Sequence, residues 1–403
     1  MEQSLAGVKI LDFTQWEAGP SCTQMLAWLG ADVIKVEKPG SGEAGRRSSA
    51  DREDTDFMYF QMLNSNKRSI TLNLKSDASG DVLRSLIGKF DVFVENFGPG
   101  VIERLGLGYD VVKQINPRMI YAQIKGFAPD GPLGDLLAFD MTAQAAGGSC
   151  SVTGEENGAP LRPGITVADT GTGLHCALGI VAALHQRHST GRGQRVEVAM
   201  QECMVNFGRI TYAAQFMLGK ATPRNGNQSV LAASSPSGIY PCVNGGPNDY
   251  CFVYTSRQGN EHWERLLVAI GRQDLANEQR FSSPESRYAH RIEIDKIISG
   301  WTQSHHKFEV MKILGTAGVP AAAVYDTEDP SSDLHMRKRG MFVTLNHPKR
   351  GEYLVPGCPI RLSDSPVTVR PSPVVGADNE QIYGELLHLG PDDLQAMKKS
   401  MLI

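Results

Sequence analysis

Asp169 lies in the stretch "RPGITVADTGTGLHCALGIVAALHQRH", residues 162–188, where a polar approach gives way to a long apolar helical pattern. Asp is a preferred helix N-cap, and Thr170 followed by Leu174, Ala177, Leu178, Val181 and Leu184 marks an apolar stripe at helical spacing. A helix N-terminus favours an anion, so the carboxylate is expected to be ionised at neutral pH, and an ionised carboxylate can attack a thioester or phosphoryl centre. Gly171 and Gly173 remove side-chain bulk on either side and are expected to let a ligand approach. Simple capping also explains an Asp here and is compatible with the chemical reading.

A second group is cationic: Lys38, Arg46, Arg47, Lys67, Arg68, Lys75 and Arg104 follow apolar runs of strand character. Ligands of open α/β sheets bind outside the carboxyl ends of strands, so these cations suit a phosphate-rich ligand. Asn96 and Phe97, ending "DVFVENF", are placed to hydrogen-bond and stack on a base. Acidic residues at 51, 53, 54 and 56 interleave with the cations, which also fits a plain solvated surface. "GSGEAG" at 40–45 matches a dinucleotide fingerprint, but no helical pattern follows it and no acidic residue ends a second strand. The ten histidines accompany no Ser or Cys nucleophile motif, and His175 reads as a helix-face residue.

Alternating strands and helices must position these groups. Residues 8–13, 31–38, 68–74, 91–97, 119–127 and 195–200 read as strands, with helices over 21–30, 79–90 and 170–187 between them. That alternation predicts an α/β doubly wound parallel sheet. Residues 1–220 are expected to form the first part of a large domain, 221–330 a smaller α+β domain with its linkers, and 331–403 a segment rejoining the large domain. The segment at 341–357 reads as a hairpin turning at Pro348 to Gly351.

With 403 residues and a net charge of −4, the chain carries no basic excess of the kind that marks a nucleic-acid binder. Seven cysteines, odd in number and without CxxC spacing, suggest a reducing cytoplasm and no structural metal. The chain has no apparent signal peptide and no apolar run near the ~18 residues that span a bilayer, so no membrane partner is expected.

The segments "GVKILDFTQWEAGPSCTQMLAWLGADVIKVEKPGSG", "NKRSITLNLK", "VFVENFGPGVIERLGLGYD", "INPRMIYAQIKGF" and "PGITVADTGTGLHCALGIVAALHQRHSTGRGQRVEVAM", with the later "FVTLNHP", resemble the class III coenzyme A transferases, collinearly over nearly the whole chain. The resemblance implies a Rossmann-like large domain built from both chain ends, a small domain between, and two subunits interlocked as a homodimer. It implies that Asp169 is a nucleophile forming an aspartyl-CoA thioester. It places coenzyme A against Gln15, Trp16, Glu17, Ala18, Lys38, Leu72, Lys75, Asn96, Phe97 and Arg104, and puts Glu17, Phe139 and Asp140 in the substrate pocket. Acyl-CoA and a small carboxylic acid are then substrates, with no resident cofactor and no metal.

In the oxalate-using members Gln stands where this chain has Glu17 and Tyr where it has Phe139, and a covering loop carries a run of glycines. The stretch "NGNQSVLAASSPSGIYP" lacks that run. The resemblance therefore favours succinyl-CoA or formyl-CoA as donor and a small or aryl-substituted dicarboxylate as acceptor, with Glu17 disfavouring a dianion beside it. Related racemases need a proton-carrying side chain where this chain has Phe139, and a non-catalytic CoA-binding subunit of a heteromer is the remaining alternative.

Overall fold

The computed structural model describes residues 3–47, 51–230 and 234–403. Two compact units form: Met1–Ser149, Pro163–Phe207 and His335–Ile403 make the larger, and Cys150–Arg162 with Gly208–Leu334 the smaller. The larger unit is an α/β fold.

Its sheet contains β1 (Lys9–Asp12), β2 (Asp32–Glu37), β3 (Arg68–Thr71), β4 (Val92–Glu95), β5 (Ile120–Lys125) and β6 (Arg195–Ala199). All neighbours pair parallel, in the order β3-β2-β1-β4-β5-β6. The six apolar runs form these strands because alternate side chains enter cores on opposite faces. Leu11, Ile34, Ile70, Phe93 and Tyr121 join one core; Ile10, Val33, Val92, Val94 and Ile120 join the other. The second core is closed by helix α1 (Ala18–Trp28) and by the helix Val167–Thr190. The first takes Ile382, Tyr383, Leu394, Leu402 and Ile403 from the far end of the sequence.

The Val167–Thr190 helix has 24 residues and is apolar enough, by length and composition, to cross a membrane. The sequence reading missed this because Asp169, His175 and His185 interrupt the run. Half of its apolar window is buried inside the protein, where it packs on α1 and on the face of β5 and β6 as a core helix.

The smaller unit carries an antiparallel sheet of β7 (Ser237–Pro241), β8 (Tyr250–Tyr254) and β9 (Ala321–Ala323), covered by helices around Trp263, Leu266, Ile294 and Val310. In the larger unit the expected hairpin is present as β10 (Phe342–His347) and β11 (Gly351–Pro356).

The glycines beside Asp169 serve packing within the fold, not ligand access. A Cβ on Gly173 would stand 2.1 Å from Ser21 Oγ, 2.7 Å from the Ala18 carbonyl oxygen and 2.9 Å from the Cys22 nitrogen, so the two helices meet backbone to backbone. A Cβ on Gly171 would strike the Phe207 ring at 2.3 Å. Gly173→Ala should destabilise the protein by about 1–3 kcal/mol through overpacking. The urea midpoint measures it, and Ser21→Ala should restore only part of the loss, because the Ala18 carbonyl stays in place.

Candidate active site

In a sheet of this strand order the winding reverses between β1 and β4, which leaves a crevice at their carboxyl ends. The loop after β1 enters this crevice, and its backbone is held at each step. Thr14 donates from its amide and its hydroxyl to Asp12 Oδ1, at 2.8 and 2.5 Å. Lys35 Nζ donates to the Thr14 carbonyl at 2.6 Å. Asn96, at the end of β4, accepts from the Gln15 amide at 2.9 Å and donates to the Gln15 carbonyl at 2.8 Å. Trp16 adopts φ +63°, a left-handed conformation that costs a bulky residue about 1–2 kcal/mol, and its amide donates to Glu43 Oε2 at 2.9 Å. Asn96 therefore braces the loop rather than standing free to read a base. The glycine-rich turn at 40–45 carries Glu43 beneath Trp16.

Three carboxylates meet at the start of the Val167–Thr190 helix. The helix begins at Val167 with Thr166 as N-cap, so Asp169 lies inside the first turn and is not the cap. Asp140, at the start of the helix Asp140–Ala146, caps that turn from outside: its Oδ1 accepts from the amides of Ala168 at 2.9 Å and Asp169 at 3.2 Å. Its Oδ2 accepts from Gln144 at 2.6 Å. Glu17, the N-cap of α1, accepts from the hydroxyls of Thr166, Thr170 (2.9 Å) and Tyr59 (3.3 Å). The Asp169 carboxylate has no hydrogen-bond donor among the described residues.

Burial and, after it, the charges of Glu17 and Asp140 raise the Asp169 pKa to about 7. The helix N-terminus does not keep it strongly ionised, contrary to the expectation from sequence, because burial strips its water and two fixed carboxylates add their repulsion. Burial and the Glu17 charge also push the Tyr59 phenol well up, which keeps its proton available to Glu17. Among the described residues no group of three or more His, Cys, Asp or Glu side chains is placed to hold a metal ion.

Gln15, Trp16, Glu17, Ala18, Asn96, Phe97, Phe139 and Asp169 all line one cleft of about 190 Å³. A neighbouring cleft of about 530 Å³ shares Gln15 and Phe97 and adds Lys38, Leu72 and Lys75. Two expected residues lie outside both linings: Asp140, buried behind the helix turn, and Arg104, exposed on the short helix Val101–Arg104. The other cations are structural. Buried Arg46 binds Glu37 (2.6 Å) and Asp56 (2.7 Å), buried Lys67 binds Asp12 (3.1 Å), Arg68 binds Asp32 (2.5 Å), and Arg47 donates to the Gly40 carbonyl. Lys38 and Lys75 remain, exposed on the larger cleft and without an ion-pair partner among the described residues.

The sequence model of CoA-transferase family III matches residues 5–379. The chain belongs to this family. A formyl-CoA:oxalate CoA-transferase of Streptomyces avermitilis is 42% identical over 416 residues, covering 100% of both chains. One from Rhodopseudomonas palustris is 43% identical over 96% of this chain and 94% of its own. Among solved structures, a CAIB/BAIF family protein from Brucella suis superposes with a TM-score of 0.85 at 29% identity, covering 96% of this chain and 100% of that one. A Mycobacterium tuberculosis protein gives 0.79 at 28% identity, over 94% and 98%.

This family III transferase has site residues that sequence reasoning did not single out. Lys125, ending β5, lines the Asp169 cleft; it pairs with Glu95 at 2.9 Å and donates to the Phe97 carbonyl at 2.7 Å. Glu95 accepts from the Phe97 amide at 2.8 Å, so the pair clamps Phe97 on both sides. A lysine closing a buried strand was the available signal for Lys125, the same one that marked Lys38. Tyr59, Thr166 and Thr170 gave none, because their roles depend on converging on Glu17. Of the covering loop expected near 225–240, residues 231–233 lie outside the described residues.

The raised Asp169 pKa has a consequence for stability. Its unfolded value is about 3.9, so the folded protein holds a proton that the unfolded chain releases. The resulting penalty is absent below about pH 4, grows toward pH 7 and is complete above it. Asp169→Asn should therefore raise the urea midpoint at pH 8 and leave it unchanged near pH 4.

Proposed function

We propose that the protein transfers coenzyme A from an acyl-CoA to a carboxylic acid through a covalent aspartyl-CoA thioester on Asp169. The observation that carries this reading is the contrast among the three carboxylates. Glu17 and Asp140 have their oxygens engaged, whereas Asp169 faces the cleft with its lone pairs uncommitted. A carboxylate whose surroundings raise its basicity is the better nucleophile among ionised ones.

In the first step an Asp169 oxygen attacks the thioester carbonyl; a C–O bond forms, the C–S bond breaks, and CoA leaves as thiolate. The thiolate then attacks the aspartyl carbonyl carbon, releasing the donor acid and leaving CoA bonded to Asp169. The incoming acid repeats the pair of steps in reverse and frees Asp169. Each exchange trades one activated acyl group for another of similar energy, so none draws on ATP. The thioester end of the substrate occupies the cleft at Asp169, and the nucleotide end the larger cleft, with Lys38 and Lys75 toward the phosphates. The larger volume falls within the range of nucleotide-sized ligand pockets.

Succinyl-CoA or formyl-CoA is the donor we favour, as the family resemblance and the formyl-CoA:oxalate transferases among the relatives suggest. We take the active form to be a homodimer of interlocked subunits. A cytoplasmic setting accords with seven free cysteines. Against a racemase, Phe139 carries no transferable proton, and Asp140 is committed to the helix turn.

Asp169→Ala should abolish transfer. With wild-type protein, hydroxylamine added after acyl-CoA should leave a hydroxamate on Asp169, detected by mass spectrometry; its absence with every competent donor would remove the covalent mechanism. Because the carboxylate attacks, kcat/KM should rise with pH and level off above about 7. Glu17→Gln should move that midpoint lower, since it removes a charge that opposes ionisation of Asp169.

A further inference from the structure

Resting on the transferase reading, we infer that the acid activated at this site is a monocarboxylate with a flat apolar body, an aryl or conjugated acid, and that Trp16 is the shelf on which it lies. The argument starts from a strained residue. A large aromatic side chain in the left-handed region is retained only where surrounding structure over-determines it. Here the Gln15 amide and carbonyl are both bound by Asn96, and the Trp16 amide by Glu43, itself buried and 3.2 Å from Lys35. That frame presents the indole to the cleft. Trp16 lines it beside Asp169, is 39% exposed, and has no partner for its ring N–H among the described residues. Ile124, Leu136, Leu137 and Phe139 supply further apolar walls.

Charge narrows the substrate class. Glu17 and Asp169 line the cleft, and Asp140 lies behind them. Among the described residues the one cation in the lining is Lys125, already spent on Glu95 and the Phe97 carbonyl. An acid with a single carboxylate loses its charge when that group is acylated, so its acyl form is neutral in the cleft. A diacid whose second carboxylate adjoins the reacting carbon keeps a charge beside Glu17, and beside Asp169 once that carboxylate is freed, with no unpaired cation among the described residues of the lining to meet it. The inferred acceptor thus differs from the dicarboxylate that the family resemblance favours and from the oxalate for which the relatives are named.

The test uses the full-length protein with formyl-CoA or succinyl-CoA as donor and benzoate, cinnamate, acetate and oxalate as acceptors. The aryl acids should exceed oxalate in kcat/KM by about tenfold or more. Trp16→Gly relieves the backbone strain while removing the shelf; it should lower the benzoate-to-acetate ratio by about tenfold, chiefly through KM. Trp16→Phe should restore most of that ratio. Glu17→Gln should narrow the deficit of oxalate. An oxalate kcat/KM equal to or above that of the aryl acids overturns the proposal, and so does an unchanged ratio in Trp16→Gly. Hydroxylamine trapping with donor alone separates the two readings: a labelled Asp169 together with either of those results sinks the specificity proposal and leaves the transferase standing.

Discussion

Three like charges meet at one helix turn, and the rest of the site follows from how two of them are held. Glu17 is surrounded by hydroxyls and Asp140 by backbone amides, so each keeps its place and its solvation substitute after leaving water. Asp169 receives the repulsion of both and a donor from neither. Its basicity comes first from burial and then from that imbalance. Arg46 and Lys67, which sequence placed among the ligand's cations, are used elsewhere in the frame and do nothing to relieve the repulsion.

A site of this kind requires a support that does not yield. The buried pairs Lys67–Asp12, Lys35–Glu43, Arg46–Glu37 and Lys125–Glu95 all stand at or near the carboxyl ends of strands. Burial alone would raise the pKa of Asp12 and of Glu37. Lys67 with Lys35 for the first, and Arg46 for the second, hold them below the usual carboxylate range instead. Removing one member would leave an uncompensated charge in the interior, which is strongly destabilising. These pairs fix the loops after β1, β2 and β4, and through them Gln15, Trp16 and Phe97.

Much of this was legible in the sequence, for physical reasons. Strands buried on both faces, such as β4 and β5, read as short apolar runs, and β6, which alternates as RVEVA, was visible by its period of two. Asp169 stood out because a carboxylate opening an apolar helix is a local pattern. What sequence could not show was reciprocity at a distance. Asn96 ended a strand and was assigned to ligand, yet its amide is consumed by Gln15, 81 positions away. Gly171 and Gly173 were read as clearance for a substrate, while the close neighbours of Gly173 belong to α1 and that of Gly171 is Phe207. A missing side chain reveals a close approach but does not say by what.

The larger unit takes its first core from segments separated by the whole of the smaller one: Leu11, Ile34 and Phe93 are covered in part by Ile382, Tyr383, Leu394, Leu402 and Ile403. A ribosome releases this chain from one end. The smaller unit's core has been fully synthesised when Val319 emerges, while the sheet on which the Asp169 helix packs still lacks the part of its cover supplied by Ile382, Tyr383, Leu394, Leu402 and Ile403. During translation the nascent sheet therefore leaves open the apolar surface that these late residues cover until they are added.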